Sequence, residues 1–132
     1  MIDHLDHLVL TSADGAASID FYTRVLGMRL DRFIGGDPPV KRIAFGFGRQ
    51  KINLHLKGRE FEPKAQHPTP GALDLCLIAS IPLDEVIERL QALGWPIVEG
   101  PVRRTGATGP IRSIYLRDPD ANLIEISEPL PR

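Results

Sequence analysis

The scarcity of cysteine and of net charge, and the lack of long apolar runs, exclude several classes of protein. The one cysteine, Cys76, cannot form an internal disulfide, and its apolar neighbours predict a small buried thiol in a reducing compartment. The formal net charge of −1 gives no electrostatic basis for general binding to nucleic acid or to an anionic membrane. No apolar run approaches the length of a membrane-spanning helix. The acidic segment 1–6 lacks the basic region of a signal peptide, so we expect a cytoplasmic protein.

The rest of the composition is that of a globular domain. The chain has 132 residues, of which 42% are hydrophobic and 25% are charged. These proportions are ordinary for a soluble protein, and the length is sufficient to bury a real core. We therefore expect one domain over residues 1–132.

An internal repeat is the most informative pattern in the chain. Segments 5–12 and 73–80 are both apolar runs that carry one metal-capable side chain near the start and end in Ser. A helix-like segment follows each run and stops at a Leu-Gly pair, with Gly27 in the first half and Gly94 in the second. Strand-like runs follow in both halves. A repeat of this kind predicts two similar modules.

Each half has the predicted element order β-α-β-β-β. The modules are expected at about 1–60 and about 71–132, with a Pro-containing linker over 58–71. Apolar stripes at helical spacing and strands that are apolar on one side predict helices packed on the sheets, hence an α+β protein. The segment 100–110, rich in Gly, Thr and Arg, reads as a loop.

Four side chains in the strand-like runs are candidate metal ligands. His7 and Asp74 lie in the first run of each half, and His55 and Glu125 lie in the last. A carboxylate within an apolar strand is costly to bury unless it is paired or binds a metal. Two imidazoles and one or two carboxylates suit a divalent ion. The alternatives are a hydrogen-bonded core histidine for His7, a solvent-exposed strand position for His55, and an exposed carboxylate for Asp74.

Three sequence motifs carry a resemblance to a known family. They are Leu-Asp-His-Leu-Val-Leu at 5–10, Phe-Tyr at 21–22 leading to Leu-Gly-Met at 26–28, and Arg-Asp-Pro-Asp-Ala-Asn-Leu-Ile-Glu-Ile at 117–126. With the doubled β-α-β-β-β order, the chain resembles the vicinal oxygen chelate superfamily of glyoxalases, bleomycin-resistance proteins and extradiol dioxygenases. The resemblance is greatest to small glyoxalase-domain-containing proteins. It implies two βαβββ modules that form a curved mixed sheet around a cleft, with helices on the outer face.

The resemblance also implies a metal site and a reaction class. His7, His55 and Glu125 are the implied ligands of a divalent ion (Zn, Ni, Mn, Fe or Co), and Asp74 is a fourth ligand or an acceptor that holds an imidazole. The implied activity is a metal-dependent isomerisation or lyase reaction in which vicinal oxygens of a small substrate chelate the ion. The carboxylate of Glu125 and a metal-bound water are the candidate bases. Metal-binding relatives often have His where this chain has Asp74, which disfavours the alternative of an extradiol dioxygenase. A metal-free ligand-binding or resistance protein is the other alternative, and a homodimer is expected.

Substrate contacts are predicted mainly in the second half. The segment with Arg103, Arg104 and Thr105 combines guanidinium groups with a hydroxyl, which suits a small anionic substrate. Tyr115 and Asn53 are the other candidate substrate-binding residues. The alternative without a functional role is that the Arg-rich segment is a solvated loop.

Overall fold

The structure, a computed structural model, describes residues 1–131 of the chain. It divides into two compact units, unit 1 over Met1–Ala72 and unit 2 over Leu73–Arg132. Each unit contains one four-stranded mixed sheet and one helical segment in the order β-α-β-β-β. The predicted α+β class and the two βαβββ modules are confirmed. No helix within residues 1–131 is both long enough and apolar enough to span a membrane.

Unit 1 is a sheet covered on one face by a short helical segment. Its elements are β1 His7–Ser12, α1 Gly15–Asp20 continued by a π-helical turn Phe21–Val25, β2 Arg29–Gly35, β3 Val40–Phe47 and β4 Gln50–Leu56. The strand order is β1-β4-β3-β2. Strand β1 is parallel to β4, and the other neighbours are antiparallel.

The helical segment of unit 1 is defined by a cap at its start and by a glycine after its end. The side chain of Asp14 accepts a hydrogen bond from the Ala17 backbone N–H at 3.1 Å. Gly27 follows the π-helical turn at φ +74°, a conformation that glycine adopts at little cost. Between them, Tyr22 is fully buried and its ring stacks on Phe45 of β3, with centroids 5.0 Å apart. This packing fixes which face of the sheet is apolar.

Unit 2 repeats the arrangement. Its elements are β5 Asp74–Ile78, α2 Leu83–Ala92, β6 Glu99–Thr105, β7 Pro110–Arg117 and β8 Leu123–Pro129, with the strand order β5-β8-β7-β6. Strand β5 is parallel to β8, and the other pairs are antiparallel. Leu83 and Leu90 of α2 are buried, as are Ile114, Ile124 and Ile126 of the sheet. The residues that alternate with them in β7 and β8 point to the other face of the sheet, and most of these are polar.

Two predictions about unit 2 are wrong. Most of the segment read as a loop over 100–110 forms β6, because it pairs with β7. As the outer strand of the sheet, β6 tolerates Pro101, two adjacent arginines and an irregular register between Glu99 and Val102. Cys76, expected to be buried, is exposed, because it alternates with Leu75 and Leu77 and so lies on the other face of β5.

Candidate functional site

A pocket of about 560 Å³ lies in unit 2, on the face of the sheet opposite to helix α2. All of its lining residues belong to this unit, and most are polar or charged. They are Asp74, Val98, Glu99, Arg104, Tyr115, Arg117, Leu123 and Glu125. Four of the predicted site residues therefore share one pocket: Asp74, Arg104, Tyr115 and Glu125. A pocket with a carboxylate, a phenol and a guanidinium is suited to a small polar ligand.

Glu125 is held by hydroxyl groups on one of its two carboxylate oxygens. The Ser113 hydroxyl donates to Oε2 at 2.6 Å, and the Ser127 hydroxyl lies 3.3 Å from the same atom. Both serines are fully buried, and their own hydroxyl oxygens are 2.6 Å apart. The Cys76 thiol, in register with Glu125 on β5, lies beside the same carboxylate. The serine hydroxyls thus fix the orientation of a carboxylate that lines the pocket, where it can meet a ligand, a proton or a metal ion.

Arg104 and Tyr115 form the cationic side of the pocket. Arg104 Nε donates to the Tyr115 hydroxyl at 3.0 Å, and Arg104 Nη2 donates to a carboxylate oxygen of Glu99 at 3.2 Å. Tyr115 lies directly opposite both Glu99 on β6 and Glu125 on β8, so the three side chains share one face of the sheet. A guanidinium held by a phenol is positioned to bind an anionic group without losing much side-chain freedom.

The two arginines that the sequence analysis treated together lie on opposite faces of β6. Arg103 pairs with Arg112 across the strands, and Arg112 points toward the helix side, where it forms ion pairs with Asp84 at 2.9 Å and Glu128 at 3.2 Å. By alternation Thr105 shares the face of Arg103, and neither residue lines the pocket. Of the predicted triplet, Arg104 alone is brought to the pocket.

His7 in unit 1 has the hydrogen bonding typical of a metal-ligating histidine. It lies at the start of β1, and its Nδ1 is 2.8 Å from a carboxylate oxygen of Asp6. This contact holds the pKa of the Asp6 carboxyl below its ordinary value. An Nδ1–H that donates to a carboxylate leaves Nε2 as the basic nitrogen of the ring. The histidine side chain is 43% exposed, so Nε2 has room for a ligand.

His55 and Asn53 are buried on the polar face of β4. Burial is the main reason that the pKa of His55 falls below the ordinary 6.5, and the neighbouring Arg42 lowers it further. The His55 ring contacts the edge of Phe61, with ring centroids 5.3 Å apart. The Asn53 Oδ1 atom is buried and has no hydrogen-bond partner among residues 1–131. Such unpaired buried acceptors are rare in folded proteins and point to a missing ligand, ion or water.

The candidate ligands of unit 1 lie on one face of the sheet but at different positions along the strands. His55 is in register with Thr11, four residues beyond His7 on β1, which is about 13 Å at the rise of a parallel strand. Asn53, in register with Val9, is two residues nearer to His7. In unit 2, Asp74 and Glu125 also share a face. Across the described residues, 1–131, no three His, Cys, Asp or Glu side chains are grouped closely enough to hold a metal ion.

The comparison with known protein families shows which superfamily the chain belongs to. A family model described as the Glyoxalase/Bleomycin resistance protein/Dioxygenase superfamily matches residues 4–126. The chain belongs to this superfamily. The resemblance seen in the sequence motifs is thereby confirmed, and the glyoxalase-superfamily fold agrees with the two βαβββ units. Members of this superfamily typically use divalent metals and bind small molecules.

Individual relatives within the superfamily cover most of the chain. Virulence protein STM3117 of Salmonella typhimurium is 55% identical over 128 residues, 97% of this chain and 85% of that protein. Its crystal structure matches with a TM-score of 0.91 and covers 98% of this chain and 99% of that one. Glyoxalase domain-containing protein RDO1 of Mycosarcoma maydis is 56% identical over 93% of this chain, which spans 66% of that protein's length. A lactoylglutathione lyase from Agrobacterium tumefaciens, 25% identical, matches with a TM-score of 0.71 over 97% of this chain and 95% of that one.

Sequence reasoning missed the residues that support these side chains. Ser113 alternates with Ile114 in β7, so the strand pattern already placed it on the polar face with Tyr115. Arg42 alternates with Ile43 in β3 in the same way, although nothing in the sequence indicated that its guanidinium would lack a carboxylate partner. The register between strands, which decides these contacts, is not readable from one sequence.

Proposed function

We propose that the chain is a divalent-metal-dependent, glyoxalase-like isomerase or lyase that acts on a small anionic substrate. The observation that carries the proposal is the setting of Glu125: two serine hydroxyls hold one oxygen of its carboxylate, which lines a pocket that also contains Arg104. Membership of the glyoxalase superfamily supports the reaction class.

The donor chemistry of the chain fits a divalent ion. His7 is oriented by Asp6, and Glu125 is oriented by Ser113. The residues that we propose as ligands are His7 and Glu125, with Asp74 as a further ligand. The separation of about 13 Å along the strands keeps His55 from sharing one ion with His7. When bound, the ion would polarise two neighbouring substrate oxygens and stabilise the oxyanion that forms on one of them.

The residues of unit 2 would do the rest of the work. Arg104 binds the anionic group of the substrate by a charge-assisted hydrogen bond, and Tyr115 keeps the guanidinium oriented. Glu125 accepts the proton from the substrate carbon and, in an isomerisation, returns it to the neighbouring position. In a lyase reaction the electrons of the broken C–H bond expel the leaving group, and the carboxylate passes the proton to solvent. The Ser113 hydroxyl keeps the carboxylate in the geometry that this transfer requires.

Proton exchange at a substrate carbon tests this proposal directly. Small α-hydroxy and α-keto acids are incubated in deuterated water with protein loaded with Zn or Mn, and deuterium incorporation is followed by NMR. We expect exchange with the wild type, and a loss of about a hundredfold or more in Glu125→Gln, which keeps the shape but removes the base. The matched control is Glu88→Gln, which changes an exposed carboxylate on α2. Turnover that strictly requires Fe(II) and O₂ would instead identify an oxygenase.

A metal-free binding protein is the second candidate. It is favoured by one observation, the lack of any close group of three His, Cys, Asp or Glu side chains within residues 1–131. In that case the pocket of unit 2 retains a ligand without converting it. Ligand binding that is equally tight with and without EDTA, together with the absence of proton exchange, would support this candidate over the enzyme.

We further propose that the protein is a homodimer. Strands β1 and β2 are the outer strands of the sheet in unit 1, and β5 and β6 are the outer strands in unit 2. Outer strands carry unpaired backbone groups that oligomers commonly cover. Sedimentation equilibrium at micromolar concentration should give twice the chain mass of 14.6 kDa, and a monomeric mass would contradict the proposal.

A further inference from the structure

Three polar side chains share one face at one end of the sheet of unit 1. Asn53 and His55 alternate on β4, and Ala44 of β3 lies directly opposite Asn53. Side chains two residues apart on a strand point to the same face, so Arg42 of β3 joins them. The group lies on the face of these strands that is opposite to the packing between the sheet and the helical segment.

Two atoms of this group are buried without hydrogen bonds. Arg42 Nε, a donor, and Asn53 Oδ1, an acceptor, have no partner within residues 1–131. Folded proteins rarely leave such groups unpaired, because they lose their contacts with water and gain nothing in return. The register of β3 and β4 makes Arg42 the diagonal neighbour of Asn53, so one small ligand that presents an acceptor and a donor can contact both residues.

The guanidinium of Arg42 has no ion pair with the described carboxylates, although Glu60 lies near enough to the His55 ring to act on its pKa. Arg29, on the same sheet, has a carboxylate partner in Asp31 at 2.7 Å, whereas no described carboxylate lies within ion-pair distance of Arg42. The guanidinium instead lies over the ring of Phe61, with its central carbon 4.3 Å from the ring centroid. Phe61 comes from the segment that follows β4 and also contacts the His55 ring. An aromatic ring stabilises the cation and keeps it away from water, but it does not neutralise its charge.

We propose that Arg42, Asn53 and Phe61 form a binding subsite for the carboxylate of a small hydroxy acid. The Nε–H edge of Arg42 donates to a carboxylate oxygen, and the Oδ1 of Asn53 accepts from the neighbouring hydroxyl of the ligand. Phe61 forms the wall of the subsite, and its ring gives up part of its contact with Arg42 when the ligand enters. One ligand thus satisfies both unpaired atoms and balances the cation.

A carboxylate fits this subsite better than a phosphate does. A guanidinium edge matches the planar geometry of a carboxylate. A phosphate surrounds itself with acceptor oxygens and would place one of them against the Asn53 Oδ1, which is itself an acceptor. Burial also favours the ion with the smaller charge, because less hydration is lost.

The subsite stands on unit 1 alone and needs neither the pocket of unit 2 nor a metal ion. It deepens the proposed function, on which it rests only for the expectation that the natural ligand is a small anionic substrate. Binding of a simple carboxylate in the presence of EDTA therefore tests the subsite separately from metal-dependent catalysis.

Titration of the intact wild-type chain followed by arginine side-chain NMR is the test. Glycolate, glycolamide and inorganic phosphate are added in turn in the presence of EDTA, and the Nε–H signal of Arg42 is monitored. We expect glycolate to move this signal downfield in a saturable way, because the N–H gains a charged acceptor. Glycolamide has the same shape without the charge, and we expect its binding to be at least about tenfold weaker.

Two variants identify the cation. Arg42→Gln should weaken glycolate binding by at least about tenfold, and the matched control Arg49→Gln, at an exposed arginine of the β3–β4 turn, should leave it unchanged. The wild-type Arg42 signal keeps the test valid even if Arg42→Gln unfolds. The inference is overturned if glycolate leaves the signal in place, as it would if a buried water already pairs both atoms. It is also overturned if glycolamide or phosphate binds as well as glycolate.

Discussion

Asn53 occupies in unit 1 the position that Glu125 occupies in unit 2. Asn53 lies two residues beyond Lys51, the register partner of His7, and Glu125 lies two residues beyond Leu123, the register partner of Asp74. Each is therefore the diagonal neighbour, on the last strand, of the metal-capable residue on the first strand. The two units differ in chemistry at this point, with an imidazole and an amide in one and two carboxylates in the other.

This equivalence gives the proposed active site an asymmetric division of labour. In the proposed reaction Glu125 acts as the base, whereas the amide of Asn53 cannot accept a proton at neutral pH. Proton transfer is thus assigned to unit 2. Unit 1 supplies neutral donors and, through Arg42, a cation without a carboxylate partner in the described chain.

The two adjacent arginines of β6 should differ in their effect on substrate binding. Arg104→Gln should raise KM by about tenfold or more, because it removes a charge-assisted contact that is worth about 1.5–3 kcal/mol. Arg103→Gln is the matched control, since Arg103 lies on the other face of the strand and does not line the pocket. Steady-state kinetics on both variants checks the expectation, and equal effects on KM would show that the face assignment has no functional meaning.

The stability of the protein should fall in mildly acidic solution because of His55. Its pKa in the folded state lies below the ordinary 6.5, mainly through burial, so the fold favours the neutral ring. The contribution of His55 to the free energy of unfolding is complete above about pH 6.5. It is lost as the pH falls through the folded-state pKa, at up to about 1.4 kcal/mol per pH unit. Urea unfolding at a series of pH values gives the free energy of unfolding as a function of pH, and we expect this free energy to fall less steeply toward acid pH in His55→Gln than in the wild type. His67→Gln, in the exposed loop, should keep the wild-type slope.

A glycine at position 121 should stabilise the fold. Ala121 has φ +67° in the turn between β7 and β8, where an alanine is strained. Ala121→Gly should therefore raise the free energy of unfolding by about 0.5–1 kcal/mol. Ala16→Gly, in helix α1, is the control and should lower it by a similar amount. Thermal unfolding of the two variants checks the signs, and a loss of stability in Ala121→Gly would contradict the strain.

Much of the architecture could be predicted from the sequence, because it follows from local periodicity. The alternation of β8 placed Glu125 opposite Ile124 and Ile126, and the structure shows the same faces. Strand β6 was missed because an outer strand with Pro101 and two arginines has no apolar alternation. Its pairing with β7 supplies what its own sequence lacks.

The candidate site could be predicted only in part. The number of residues between the first and last strand-like runs makes His55 the counterpart of Glu125. That number is misleading, because it includes loops whose lengths differ between the two halves. The strand register pairs Asn53 with Glu125 instead, and register depends on contacts between distant segments. Whether His55 itself binds a metal stays a prediction.

Metal analysis of protein purified without chelators tests the central claim most directly. Mass spectrometry for metals should find close to one divalent ion per chain in the wild type. The double variant His7→Ala/Glu125→Ala should have lost this ion, and the control His67→Ala/Glu88→Ala, at exposed positions, should retain it. Removal and return of the ion should abolish and restore proton exchange. A wild type that binds no ion when supplied with Zn, Ni, Mn, Fe or Co, yet still binds its ligand, would contradict the metal-dependent enzyme and leave the binding protein.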